Sequence, residues 1–217
     1  MTLRKSVGNM YDFVGFTYNP IKGKCSHDCV YCYMKRFPQN PIRLDKKDLM
    51  ENLGMDNTVF VGSSTDMWAD DVPDDWIMEV LAKCRESNSN TYLFQSKNPK
   101  RFLAFRDVFP SNVLLGTTIE TNRENDFTGG QLIRDRAKSM SMLEGFRTFV
   151  TIEPIMDFDL DELLFLLKGI QPEFVNIGAD SKNHGLSEPS KEKVLELISE
   201  LNKFTVVRKK SNLDRLL

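Results

Sequence analysis

No stretch of this sequence approaches the roughly 20 apolar residues of a membrane span. The longest apolar cluster, Leu163 to Leu167, falls inside an amphipathic segment. Residues 1–13 carry basic side chains but no apolar core, so no secretory signal is expected there. Low-complexity tracts and Ser/Gly linkers are missing, and neither glycine (12) nor proline (9) is enriched. A fibrous or disordered chain is thereby excluded. Bulk charge is lacking too: 29 Lys+Arg oppose 31 Asp+Glu, for a formal net charge of -2. No overall field draws the protein to nucleic acid or to an anionic membrane, and such affinity has to come from a local patch. Cysteine is scarce, at four in 217 residues. A chain of this length buries a full core without staples. Without an export signal a reducing cytoplasm is expected, where clustered thiols serve as metal ligands or redox groups. Yet three of the four cysteines crowd into eight residues.

What is present is an alternation of short apolar runs with segments of helical period. The runs are Phe13–Tyr18, Thr58–Gly62, Tyr92–Gln95, Val113–Ile119, Thr148–Ile152 and Phe174–Ile177, with Phe204–Val207 as a further short run. Ile77, Val80, Leu81 and Cys84 share one helical face entered through Pro73. Ile133, Ala137 and Met140 mark a second face that ends at Gly145. Leu160, Leu163, Leu164 and Leu167 mark a third that ends at Gly169, and Val194, Leu197, Ile198 and Leu201 a fourth. Strands alternating with helices imply parallel pairing with right-handed crossovers. The expected fold class is α/β: a single-domain partial (β/α)6 barrel over residues 1–217, with mostly parallel strands and outer helices. A flat doubly wound sheet is the alternative. In either, the loops after the strands hold the chemistry.

The cysteines read C-x3-C-x2-C (Cys25, Cys29, Cys32) in the loop 19–37 after the first strand. Three thiolates at this spacing can wrap one face of a metal centre, whereas a closed zinc site wants four ligands. His27 would have to fold back past its neighbours to be the fourth. Cys84 falls on the apolar stripe of a helix and reads as a core residue. Three thiolates suit a [4Fe–4S] cluster with one open iron.

This motif, with Tyr31 before its last cysteine and β/α units following, resembles the radical S-adenosylmethionine (SAM) superfamily. Tyr18-Asn19-Pro20 and Cys32-Tyr33 resemble spore-photoproduct-lyase-like members and a related phage-associated group of unassigned function. Asp71-Val72-Pro73, the Ser-Lys after the third strand and Ile152-Glu153-Pro154 resemble that second group. The likeness spans residues 14–180 and is patchy outside the cysteine loop. It implies that Cys25, Cys29 and Cys32 hold the cluster and that SAM chelates the open iron. Reductive cleavage of SAM then yields a 5′-deoxyadenosyl radical that abstracts hydrogen from substrate. It further implies an external flavodoxin-like or ferredoxin-like reductant, a monomer, and a host cytoplasm if the protein is phage-encoded.

SAM contacts are expected at the strand ends. The usual Gly-Gly-Glu-like segment is replaced here by Ser63-Ser64-Thr65-Asp66, whose oxygens could accept from the SAM ammonium. Tyr31, Ser96 and Lys97, then Thr118, Glu120 and Arg134, and Gly178 complete the expected cofactor set. Glu153, Asn176, Asp180, Tyr33 and Trp68 are the expected catalytic or substrate residues. Lys22, Lys24, Lys35, Arg36, Lys97, Lys100 and Arg101 gather in the first and third loops and could meet phosphates. The substrate expected is a small or nucleotide-like molecule, with DNA or RNA as its carrier. A glycyl-radical-enzyme activase and a non-catalytic zinc-binding module are the alternatives.

Overall fold

The computed structural model describes residues 3–6, 11–124 and 127–217. Its strands are β1 (Arg4–Lys5), β2 (Phe16–Tyr18), β3 (Ile21–Lys22), β4 (Arg43–Leu44), β5 (Thr58–Val61), β6 (Thr91–Ser96), β7 (Val113–Thr118), β8 (Arg147–Ile152), β9 (Phe174–Ile177) and β10 (Val206–Lys209). The α-helices are α1 (Lys46–Leu49), α2 (Asp74–Glu86), α3 (Lys100–Ala104), α4 (Ile133–Ser141), α5 (Leu160–Ile170) and α6 (Lys191–Leu201). Eight strands form one sheet in the order β1-β2-β5-β6-β7-β8-β9-β10, and β3 and β4 form a separate antiparallel ribbon. From β2 to β10 every neighbour is parallel; only β1 runs antiparallel, on the outer edge of β2.

The two faces of the sheet separate by period two. Val59, Val61, Tyr92, Phe94, Leu115, Val150, Ile152, Val175 and Ile177 join the apolar stripes of α2, α4, α5 and α6 in one core. The alternate residues Phe60, Leu93, Leu114, Phe149 and Phe174 form a second cluster with Tyr11, Val14 and Phe13, from the segment before β2. Helices therefore cover one face, and the other is plugged by aromatic rings. This is a partial barrel rather than a doubly wound sheet. Gly116 makes the plug possible: a Cβ there would lie 2.2 Å from the Phe149 ring, which crosses it from the neighbouring strand.

Several boundaries differ from expectation: the first strand begins at Phe16 rather than Phe13, and the second long helix stops at Ser141 rather than at Gly145. The last strand begins at Val206, not Phe204, and pairs with β9 as a seventh parallel strand. It carries Arg208 and Lys209 because an edge strand tolerates charge, and the Arg208 guanidinium lies over the Phe174 and Phe13 rings at 3.7 and 4.4 Å. Helix α5 runs through Gly169 to Ile170 and is stopped by Gln171 in the left-handed conformation. No helix among the described residues is long and apolar enough to cross a membrane.

A candidate active site at the strand ends

Above the aromatic plug the inner face turns polar. The Tyr11 hydroxyl donates to Gln95 and lies 2.7 Å from Thr151 Oγ1. Gln95 Nε2 donates to Thr118 Oγ1 at 2.8 Å, and Asn176 Nδ2 to Thr151 Oγ1 at 3.4 Å. This belt satisfies the buried polar groups and floors a cavity of about 710 Å³ at the C-terminal ends of the strands.

The cysteine loop forms one wall. Its base is clamped by the β3–β4 ribbon, and Lys24 N–H donates to Asn40 O at 2.8 Å. Gly23 (φ 115°) is needed there, because a Cβ would come within 2.5 Å of Pro41 O. Successive tight turns follow. The carbonyls of Cys25, Cys29 and Cys32 each accept from the N–H three residues on, at 3.3, 3.1 and 3.1 Å, and Asp28 between them is left-handed (φ 42°). A turn of this pitch stacks Cys29 and Cys32, three residues apart, on one side, and all three cysteines line the cavity as free thiols. Burial and the charge of Asp66 push the Cys25 thiol up to about 12. Burial raises Cys32 as well.

Three attachments hold the loop. His27 Nε2 lies 2.7 Å from Asp66 Oδ2, which also accepts from Ser96 Oγ at 2.8 Å and Lys97 N–H at 2.9 Å; Trp68 N–H fills Oδ1. Tyr31 donates its hydroxyl to Glu120. Glu120 is also ion-paired to Lys97 at 2.7 Å and to Arg136 at 2.9 Å. Burial alone would raise the Glu120 carboxyl, but the two cations overcome it and hold the group at about 2. The third attachment is Thr128-Gly129-Gly130. Cys29 Sγ contacts Thr128 Oγ1 at 3.2 Å, Gly129 N–H donates to His27 O at 2.6 Å, and Val30 N–H donates to Phe127 O at 2.9 Å. A Cβ on Gly130 would lie 2.8 Å from Lys97 Cβ. The adjacent glycines were the one sequence signal for this contact.

The expected site residues divide three ways. Cys25, Cys29, Cys32, Tyr31, Tyr33, Ser63, Ser64, Asp66, Ser96, Lys97, Thr118, Glu153 and Asp180 line the cavity. Of these, Asp66 and Ser96 spend their side-chain oxygens on each other and on the loop. Ser63 exchanges hydrogen bonds with Asn19 at 3.0 and 3.1 Å, and Tyr33 donates to Ser63 O at 3.0 Å. Glu120 and Asn176 are buried beneath the cavity and do not line it.

The third group points elsewhere. Trp68 is fully buried among Phe94, Phe102, Phe105 and Phe109, so it stacks on no ligand. Arg134 lies on the surface with Glu162, because two residues turn about 200° around a helix and it is Arg136 that faces Glu120. Gly178 does not line the cavity and lies against the Glu153 and Asn212 side chains: a Cβ would lie 2.7 Å from Glu153 Oε1.

The expected basic rim is also mostly self-paired. Lys22 holds Asp45 and Asp48, Lys24 and Lys35 hold Asp28, and Arg101 holds Asp74. The cations that do line the cavity are Arg4, Lys5, Arg36, Lys97, Lys182 and Lys210. No motif marks Arg4 and Lys5, because their place beside the site comes from the antiparallel pairing of β1.

A family model described as a protein of unknown function (DUF5131) matches residues 9–181. No curated protein matches. Among solved structures, a cysteine-to-alanine variant of spore photoproduct lyase with dinucleoside spore photoproduct superposes with a TM-score of 0.70. It is 13% identical over 96% of this chain and 79% of that one. A cysteine-to-serine variant gives 0.69 at 13% identity over 97% and 80%. A double variant with bound AdoMet and dinucleoside spore photoproduct gives 0.56 at 14% identity over 88% and 62%. At these identities the likeness establishes the fold.

Proposed function

We infer that this chain, which belongs to the DUF5131 family of proteins of unknown function, is a radical SAM enzyme acting on a nucleotide-like substrate. The carrying observation is the exposure of Cys25, Cys29 and Cys32 to one cavity while the two other candidate ligands are engaged elsewhere. His27 Nε2 is turned to Asp66, and Cys84 is buried in the helix–sheet core. Among the described residues no three His, Cys, Asp or Glu side chains converge on a single ion. Three thiols on one cavity, with no fourth ligand free beside them among the described residues, fit a cluster with one open iron better than a closed four-ligand zinc site. The site thus suits a [4Fe–4S] cluster with SAM on its open iron. When bound, such a cluster supplies the electron that cleaves SAM, and the resulting radical takes hydrogen from substrate.

The chain's own residues supply binding and exclusion of water. Ser63 and Ser64, set by Asn19 at the end of β5, offer acceptors to an ammonium. Lys97 at the end of β6 offers a donor to a carboxylate. Tyr31 and Tyr33 wall the cavity beside the thiols. Arg4, Lys5, Arg36 and Lys182 bring positive charge to the rim, which suits a phosphate-bearing substrate. The dinucleoside ligand of the structural neighbours supports the same substrate class. The electron is expected from an external one-electron carrier.

Anaerobic reconstitution with iron and sulfide tests this reading. The protein should develop a cluster absorbance band and form 5′-deoxyadenosine from SAM under reduction. Replacing Cys25, Cys29 or Cys32 with alanine should abolish both, while Cys84→Ala should keep both. Colourless protein that binds zinc tightly and leaves SAM intact would overturn the assignment.

A further inference from the structure

Across the cavity from the cysteines, the loop after β9 builds a second reactive unit. Asp180 is buried and fixed from several directions. Its N–H donates to Glu188 Oε1 at 3.2 Å, its carbonyl accepts from Arg215 at 2.8 Å, and Arg215 is itself paired with Glu188. Its carboxylate accepts the N–H groups of Lys182 and His184. Asn183 (φ 53°) and Gly185 (φ 71°) flank His184 in the left-handed conformation. This double turn folds the imidazole back so that Nδ1 lies 2.6 Å from Asp180 Oδ1. An ionised carboxylate only accepts, so the neutral ring carries its proton on Nδ1 and its lone pair on Nε2. His184 lines the cavity with its side chain 24% exposed, and Nε2 has no hydrogen-bond partner among the described residues. The other charged groups on this side of the cavity are Lys182 on the same loop and the Glu153–Lys210 pair from the ends of β8 and β10.

We propose that His184, oriented by Asp180, is a proton-transfer group of this cavity, acting through Nε2 on an O–H or N–H of the bound substrate. The proposal rests on the cavity being the active site. In the step, the substrate O–H or N–H bond breaks and its proton moves to Nε2. The bonding electron pair stays on the substrate heteroatom, and Asp180 faces the imidazolium that forms; the reverse step returns the proton. No oxidant or reductant enters. A nucleobase amide N–H and a sugar hydroxyl are both groups of the required class.

The test uses cluster-loaded protein, whose only two histidines are His27 and His184, so ring 15N spectra resolve two residues. His184 should be Nδ1-protonated when neutral. Its resonances should move on addition of SAM with the dinucleoside monophosphate thymidylyl-thymidine. The same mixture should slow its modification by diethyl pyrocarbonate by about tenfold. Asp180→Asn should shift the ring toward the Nε2-protonated form. An Nε2-protonated ring in the wild type, or modification that the two probes leave unchanged, would overturn the proposal. Substrate-free 5′-deoxyadenosine formation by the wild-type protein, measured beside these spectra, reports the cluster and SAM site separately from His184. Intact SAM cleavage with an unprotected His184 defeats this inference alone. Absent cluster and absent cleavage in the wild type defeat the proposed function and this inference with it.

Discussion

The two sides of the cavity mouth carry the same kind of carboxylate and use it differently. On the cysteine side, Asp66 and Glu120 are sunk below the surface and saturated. Three N–H or O–H donors and His27 surround Asp66, and two cations and a tyrosine surround Glu120. Neither offers a free oxygen, and their bonds run to the cysteine loop or to its supports. On the β8–β9 side, Glu153 and Asp180 are also paired, but His184 there turns to the cavity an Nε2 that has no hydrogen-bond partner among the described residues, whereas His27 commits its Nε2 to Asp66. The first arrangement fixes a loop that has little secondary structure of its own. The second presents charged and protic groups to whatever occupies the space. Buried ion pairs carry a desolvation penalty that good geometry only offsets, so the cysteine side holds position, and the opposite side is suited to reactivity.

That contrast breaks most sharply at Arg136. Its side chain is 1% exposed and meets Glu120, Thr118 O and Gln131 O. Arg136→Met leaves the buried Glu120 with Lys97 as its one remaining cation among the described residues, and removing one partner of a buried pair typically costs about 3–5 kcal/mol. Urea unfolding at about pH 7 should show the loss, together with lower iron loading because Glu120, the anchor of Tyr31, is no longer fixed by the guanidinium. The pH dependence has a definite sign. The Glu120 carboxyl is held at about 2 when folded, against about 4.3 when unfolded. Its contribution is therefore complete above about pH 4.3 and is lost as pH falls toward about 2. Without Arg136 the folded value rises and this acid dependence shrinks. An unchanged urea midpoint would mean that the network does not hold the loop.

How much of this was legible in the sequence depends on where the physical signal lay. The parallel strands were legible because both faces are buried, which leaves unbroken apolar runs such as Val113 to Leu115. The last strand was misplaced by two residues because half of it, Arg208 and Lys209, looks like surface. The cysteine motif was legible because its spacing is local. Roles set by tertiary contact were not. Trp68 looked like a loop residue until four phenylalanines closed around it. His184 carried no spacing signal, since its partner Asp180 meets it only after a left-handed turn on either side of the ring.

The opposite side of the mouth should respond less. Lys210 pairs with Glu153 at 2.9 Å, but its side chain is 22% exposed, and Glu153 keeps the Asn212 amide at 2.9 Å and the open cavity. Lys210→Met should therefore cost about 1 kcal/mol or less, with iron loading unchanged. Thermal and urea unfolding of this variant beside Arg136→Met measure the contrast directly. Equal losses would erase it.

The smallest effect belongs to Arg134, two residues from Arg136 on the same helix. Its guanidinium reaches Glu162 at 3.0 Å, and both side chains are more than half exposed. Such a pair sits in high dielectric, spends side-chain entropy to form and is screened by salt, so Arg134→Ala should change stability by no more than about 0.5 kcal/mol. Iron loading and SAM cleavage should stay at wild-type levels, because the residue does not line the cavity. Removing an arginine at each of two positions of one helix then separates the helix from the network. If both variants destabilise alike, α4 matters only as a packed helix. If only Arg136 does, the buried contact with Glu120 carries the effect, and the cysteine loop depends on a charge network rather than on the helix that delivers it.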